Sequence, residues 1–106
     1  EIATAAAVSI ELDETRIPVN EAVRGACEIL GFDPLYVANE GKCLAIVAPE
    51  SAAAVLGAWR QHPLGAQAAV IGTVKEEPRG RLVLQTRIGA RRIVDMLSGE
   101  QLPRIC

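Results

Sequence analysis

Aromatic side chains are nearly absent from this sequence: they make up 3% of its 106 residues, although half of the chain is hydrophobic. Proteins that bind single-stranded nucleic acids stack the bases on aromatic rings, which this sequence lacks in number. The formal net charge is only −2, and no block of like charge forms an arm for a polyanion. The composition therefore argues against a nucleic-acid partner and favours an aliphatic core between α and β layers.

Several other signals are missing as well. The three cysteines are an odd number without a CxxC pair, which argues against a secreted disulfide framework. The only histidine, His62, has no second ligand of its kind, so no metal site is expected. No apolar run approaches the roughly 20 residues of a membrane span, and the start does not resemble a signal peptide. We expect no membrane association, a cytoplasmic location, and a chain that is part of a longer or processed protein.

The charges are unevenly distributed along the chain. Residues 1–50 hold nine acidic and three basic side chains, whereas residues 75–106 hold four acidic and seven basic ones. Such polarity is typical of solvated faces, but the arginine-rich stretch 79–92 would also suit a nucleotide or an acidic partner. A nucleotide- or phosphate-binding module therefore stays open, although the sequence has no glycine-rich phosphate loop. A thiol-redox domain that uses the three cysteines is a further alternative.

Hydrophobic periodicity predicts an α+β domain with a mixed, largely antiparallel sheet and helices packed on one face. Period-two alternation or short apolar runs predict strands at 8–12, 35–38, 43–48, 68–74, 81–87 and 92–95. Helices are predicted up to Ala7, over 19–30 before Gly31, and from Pro49 onward. The polar turn 76–80 is predicted to join its flanking strands as a hairpin. We place the domain at 1–97 and a mobile C-terminal tail at 98–106.

Two of the cysteines fall within these predicted elements. The apolar stripe of the helix at 19–30 is expected to be packed, and Cys27 belongs to it. The predicted strand 43–48 begins at Cys43. It is predicted to be fully buried because it is continuously apolar. Both thiols are therefore expected to be shielded and neutral. The second helix has a corresponding predicted stripe, formed by Ala52, Val55, Leu56 and Trp59.

The segment Asn39, Glu40 and Gly41 lies between two apolar runs and has two interpretations. In the first it is a hairpin turn, with Gly41 at positive φ and Glu40 simply exposed. In the second, Glu40 is a carboxylate that the turn presents to a ligand.

The last stretch, residues 96–106, has no helical or strand period. Gly99 relaxes the backbone, Pro103 fixes one φ, and the sequence ends on Cys106. From residue 97 onward the tail would reach roughly 30 Å if fully extended. It is either a frayed end that happens to stop at cysteine or a carrier whose sulfur visits sites outside its own domain.

Three stretches in this order resemble one known family. They read CEILGFDPLYVANEGK at 27–42, HPLG at 62–65 and VDMLSGEQLPRIC at 94–106. Together they resemble the C-terminal domain of the HypE hydrogenase maturation factors, within the aminoimidazole ribonucleotide synthetase-related superfamily. The first stretch is shared by the wider superfamily, whereas the proline-arginine-isoleucine-cysteine end is the more diagnostic one. The family's ATP-binding domain has no counterpart in this sequence.

The resemblance implies an ATP-dependent carbamoyl dehydratase. Cys106 would carry a carbamoyl group received from the carbamoyltransferase HypF, and dehydration would leave thiocyanate as the cyanide donor for [NiFe]-hydrogenase. Glu40 would accept a proton from the carbamoyl nitrogen. ATP with Mg would be bound mainly by the other domain, so this chain alone is expected to be inactive. The implied partners also include the HypC–HypD iron scaffold and a second copy in a homodimer.

The residues around the two catalytic positions have expected supporting roles. Asn39 and Gly41 flank the proposed base, and Ile105 belongs to the diagnostic end motif. Gly99 would let the tail swing, and Pro103 would stiffen its tip. Arg104 would either offset the α-carboxylate beside the thiol and pair with an acidic groove, or remain a solvated side chain.

Overall fold

A computed structural model describes residues 1–94 of the chain. The helices are α1 (Ile2–Ala6), α2 (Glu21–Leu30) and α3 (Ala52–Arg60), and the strands are β1 (Ser9–Asp13), β2 (Gly72–Lys75), β3 (Arg81–Gln85) and β4 (Arg91–Ile93). Short 3-10 turns occupy Glu14–Arg16, Pro34–Tyr36, Pro49–Ser51 and Pro63–Gly65. The described residues fall into two compact units, one formed by Glu1–Pro18 with residues 46–94 and the other by Val19–Ala45.

The first unit is built around a four-stranded sheet in the order β2-β1-β3-β4. β1 pairs antiparallel with β2 and parallel with β3, and β3 pairs antiparallel with β4. The predicted α+β class and the mixed, largely antiparallel sheet are therefore confirmed. Leu84 and Ser9, each 1% exposed, are the most buried residues of this unit.

The predicted hairpin across the turn 76–80 is wrong. β1 lies between the two strands that this turn connects, and Ile10 is the register partner of both Val74 and Leu82. The sequence pattern misleads because β2 and β3 are antiparallel to each other even though they are not neighbours. The polar turn only has to span two strand spacings, about 10 Å. The positive φ of Gly80 and its N–H bond to the Val8 carbonyl, 2.9 Å, help the chain to make this crossing.

A tight turn at 88–90 connects β3 and β4 as a hairpin. Gly89 has a φ of 82°, and the Thr86 amide donates to the Ala90 carbonyl at 2.7 Å. β4 begins one residue earlier than predicted, and its ladder continues to Val94, whose N–H donates to Leu82 O at 2.9 Å. The predicted end of this strand, residue 95, lies outside the described residues, as does the predicted boundary between domain and tail.

The predicted strand at 43–48 is absent, and so is its burial. Leu44, Ile46 and Val47 are 63%, 54% and 40% exposed, and no strand of residues 1–94 pairs with this run. An apolar run becomes a buried strand only if a neighbour accepts its backbone hydrogen bonds and covers its side chains. The described sheet provides no such neighbour for it. The short run 35–38 likewise forms the 3-10 turn Pro34–Tyr36 instead of a strand.

The predicted helices are present, but their apolar stripes are less buried than expected. In α2 only Cys27 is buried, at 6% exposure, whereas Val23 and Leu30 are 47% and 64% exposed. Within residues 19–45, the described part of this unit, the one further element is the short turn Pro34–Tyr36, and most of the stripe stays exposed. In α3 the stripe is half-buried and Trp59 is 36% exposed.

Gly72 in β2 provides a test of the sheet arrangement. A Cβ at this position would overlap the carbonyl oxygen of Glu11 in the adjacent strand. Gly72→Ala is therefore expected to lower the free energy of unfolding by about 1–3 kcal/mol, the usual range for overpacking. Chemical denaturation of the 106-residue chain measures this. Gly57→Ala in α3, where a Cβ would have open space, is the control and should stabilise slightly. An unchanged denaturation midpoint for Gly72→Ala would contradict the described β1–β2 register.

Candidate functional site

Helix α2 sets the course of the chain towards the predicted catalytic turn. The Asn20 side chain accepts a hydrogen bond from the Ala22 amide at 2.9 Å and caps the start of the helix. Gly31 ends it in the left-handed conformation, with φ 72°, and the Phe32 amide donates back to the Cys27 carbonyl. Asp33 then caps the 3-10 turn Pro34–Tyr36 through the Leu35 amide, at 2.9 Å. Local capping therefore determines the path as far as Tyr36.

The three residues of the predicted turn lie beyond this capped segment and are all exposed. Asn39 donates from Nδ2 to the Val37 carbonyl at 3.1 Å, which tightens the chain before Glu40. Gly41 has a φ of 74°, so its predicted backbone conformation is confirmed. The flanking strands of the hairpin are missing, so the turn presents Glu40 from a loop. The role of Glu40 as proton acceptor stays a prediction.

The two described thiols differ in accessibility. Cys27 is buried, as predicted, but Cys43 is exposed, so its predicted burial is wrong. The cause is the missing strand, because the apolar residues after Cys43 are themselves exposed. Both are free thiols. The predicted residues Gly99, Pro103, Arg104, Ile105 and Cys106 lie outside the described residues, and their roles stay predictions.

A charged cluster that no sequence motif indicated lies on one face of the sheet. Glu11 in the central strand binds a cation with each carboxylate oxygen: Oε2 lies 2.7 Å from Lys75 Nζ, and Oε1 lies 2.6 Å from Arg91 Nη2. Lys75 belongs to β2 and Arg91 to β4, so one carboxylate links both edge strands to the centre. Alternation along β1 placed Glu11 on the polar face, but no sequence pattern identified its distant partners.

These contacts change the ionisation of Glu11. The hydrogen bond from Lys75, followed by that from Arg91, lowers the pKa of the Glu11 carboxyl below its ordinary value of 4.5. The stability that this carboxylate contributes is therefore present above that value and is lost as the pH falls through the lowered pKa. Asp13 on the same face also has a lowered pKa, because its carboxylate accepts hydrogen bonds from the Thr15 hydroxyl and amide.

An open depression of about 190 Å³ lies on this polar face and is lined in part by Glu11, Asp13, Arg16 and Arg91. Its two arginines pair with its two carboxylates, since Arg16 Nε lies 3.7 Å from Asp13 Oδ2. No surplus positive charge is therefore directed at a phosphate. The arginine-rich stretch is similarly balanced at Arg79, which pairs with Glu77 at 3.6 Å. These pairings do not favour a nucleotide-binding module in residues 1–94.

No three His, Cys, Asp or Glu side chains within residues 1–94 come together in a way that would hold a metal ion. His62 is exposed, and its Nδ1 accepts from the Leu64 amide at 3.1 Å, so it caps the 3-10 turn Pro63–Gly65. Among the helices of the described residues, none is both long and apolar enough to cross a bilayer.

The chain is similar to known proteins both in sequence and in structure. The family model for the C-terminal domain of AIR synthase-related proteins matches residues 1–85. Across all 106 residues, the chain is 56% identical to a carbamoyl dehydratase HypE from Rhizobium leguminosarum bv. viciae, of which it covers 30%. A crystal structure of hydrogenase maturation protein HypE in complex with ATP superposes with a TM-score of 0.89 at 44% identity, covering 99% of the chain and 32% of that protein.

A crystal structure of a HypE–HypF complex also matches. Its TM-score is 0.76 at 38% identity, over 83% of the chain and 28% of the matched one. The chain therefore spans about a third of the length of the relatives that it matches.

The different burial of the two thiols predicts different rates of alkylation. In the folded 106-residue chain, a brief pulse of a bulky alkylating reagent is expected to modify Cys43 rapidly and Cys27 slowly, because only Cys43 is accessible. Cys106 is expected to react rapidly as well. Peptide mapping by mass spectrometry measures each site separately, and the Cys43→Ser variant identifies the signal of that thiol. Equal rates for Cys27 and Cys43 would contradict the described burial.

Proposed function

The chain belongs to the AIR synthase-related family and to the HypE proteins within it, and from that premise we propose that it forms the C-terminal domain of a carbamoyl dehydratase of hydrogenase maturation. The observation that carries this proposal is the 56% identity over all 106 residues of the chain. A family model over residues 1–85 and a TM-score of 0.89 support the same assignment.

In the proposed reaction Cys106 is the group carrier. Its sulfur receives a carbamoyl group from a carbamoyltransferase and holds it as a thiocarbamate. A thiol is suited to this task because sulfur is a good nucleophile and a good acyl carrier. A HypE–HypF complex is known among the solved structures, which supports a carbamoyltransferase of the HypF kind as the partner.

Dehydration then converts the carbamoyl group into a cyano group on the same sulfur. ATP supplies a phosphoryl group that turns the carbamoyl oxygen into a good leaving group. The open depression in residues 1–94 does not favour a triphosphate, since its two arginines are paired with carboxylates. We therefore assign ATP and Mg to the domain that lies outside this sequence, consistent with a solved HypE complex with ATP.

Glu40 is proposed to accept a proton from the carbamoyl nitrogen, which must lose its protons before C≡N can form. Its position fits this role in two respects. The side chain is exposed and therefore accessible to an incoming group, and Gly41 next to it leaves open space. The thiocyanate on Cys106 would then donate cyanide to iron held by a HypC–HypD scaffold, and the complete protein would act as a homodimer.

The carrier role of Cys106 predicts a change in mass that can be located on the chain. After incubation of the full-length protein with the carbamoyltransferase, carbamoyl phosphate and ATP, a carbamoyl or cyano adduct is expected on the peptide that contains Cys106. Cys106→Ala should abolish the adduct, whereas Cys43→Ser, which removes an exposed thiol, should retain it. An adduct that persists in Cys106→Ala would show that another group is the carrier.

The proposed base predicts a selective kinetic defect. In the full-length protein, Glu40→Gln keeps the size and polarity of the side chain but removes its basicity. Loading of Cys106 should be unchanged, while dehydration in a single turnover should slow by about 10²–10⁴-fold, the usual contribution of a general base. Glu28→Gln replaces an exposed carboxylate of α2 and is the control. If loading and dehydration slow equally, the defect lies in folding or docking and Glu40 is not the base.

A further inference from the structure

β4 is the last described strand before the C-terminal segment, residues 95–106. This strand has three residues and, among the strands of residues 1–94, lies at the edge of the sheet and pairs with β3 alone. The last described backbone bond joins Val94 N to Leu82 O at 2.9 Å, and the segment from 95 to 106 follows directly. A group on a tether samples the space around its anchor, so the position of β4 affects which sites Cys106 can reach.

An edge strand of three residues has few backbone hydrogen bonds. In β4 these are supplemented by a side-chain contact to β1. Arg91 on β4 extends past β3 and donates from Nη2 to Glu11 Oε1 on β1, at 2.6 Å. Val83, the register partner of Glu11 on the intervening strand, is buried at 8% exposure. A second contact lies just before β4: Glu14, in the turn after β1, accepts a hydrogen bond on Oε2 from the Arg87 amide at 3.0 Å.

The two ion pairs of Glu11, with Lys75 and with Arg91, can be compared directly. The pair between Glu11 and Lys75 has almost the same length as the pair between Glu11 and Arg91, 2.7 Å against 2.6 Å. The two cations are also similarly exposed, 51% and 60%. They differ in location, because Lys75 lies on β2 at the opposite edge of the sheet. Of the two ion pairs of Glu11, only the pair with Arg91 involves β4, the strand that precedes the C-terminal segment.

We propose that Glu11 and Arg91 are positioning residues for the carrier thiol: their ion pair holds β4, and hence the starting point of the segment that ends in Cys106, at a fixed place on the sheet. The inference rests on the proposed carrier function. Neither residue takes part in the chemistry. Their effect is confined to how often the loaded sulfur reaches the site of dehydration.

The test compares Arg91→Met with Lys75→Met in the full-length protein. Each variant removes one cation from Glu11, so a general loss of sheet stability affects both. Exposed ion pairs contribute modestly, so the expected changes reach at most about fivefold. For Arg91→Met we expect up to about fivefold faster hydrogen exchange at residues 91–94 and a similar slowing of dehydration, with the KM for ATP unchanged. Lys75→Met should leave both quantities at the wild-type level, and Arg91→Lys should restore much of the dehydration rate.

The outcomes separate this inference from the function on which it rests. If Arg91→Met and Lys75→Met exchange and dehydrate at the same rate, or if dehydration only follows the melting temperature, the positioning role is overturned. If wild-type protein takes up no carbamoyl group on Cys106, the carrier function is wrong. The exchange rates at 91–94 still decide whether Arg91 anchors β4 in that case.

Discussion

The sheet depends on the capture of one N-terminal strand between two strands from the other end of the chain. Each residue from Ser9 to Leu12 in β1 has a register partner both in β2 and in β3. The contacts that hold β1 are therefore separated from it by about sixty residues or more, and they form only when the chain has folded back. Gly72 allows this close approach, because its missing side chain leaves room for the Glu11 carbonyl.

The central position of β1 also explains the role of Glu11. A carboxylate in the middle strand of a sheet can contact cations on strands to either side, which no residue in an edge strand can do. Glu11 is 28% exposed, so its two ion pairs are partly screened by water and each contributes modestly. Together they add side-chain contacts from β1 to β2 and to β4, beside the backbone pairing of the sheet.

The proposed chemistry uses two residues with different requirements. Glu40 lies in a loop whose approach is determined by local caps at Gly31 and Asp33, so its presentation needs little long-range structure. In the proposed reaction Cys106 reaches partners outside its own domain, and a carrier at the end of a chain is suited to that. In this proposal β4 of the sheet is the anchor of the segment, residues 95–106, that ends in Cys106.

The sequence by itself determined the features that depend on neighbouring residues. Helix α2 between Asn20 and Gly31, the positive φ of Gly41 and the burial of Cys27 follow from capping chemistry, glycine conformation and helical periodicity. The diagnostic ending at Cys106 identified the family without any structure. Only the tertiary structure decided which strands are neighbours, that the run after Cys43 stays exposed, and that Glu11 meets Lys75 and Arg91. The reason is that strand pairing and ion pairing join residues far apart in sequence, and an alternating or apolar pattern states which face a side chain prefers but not which partner covers it.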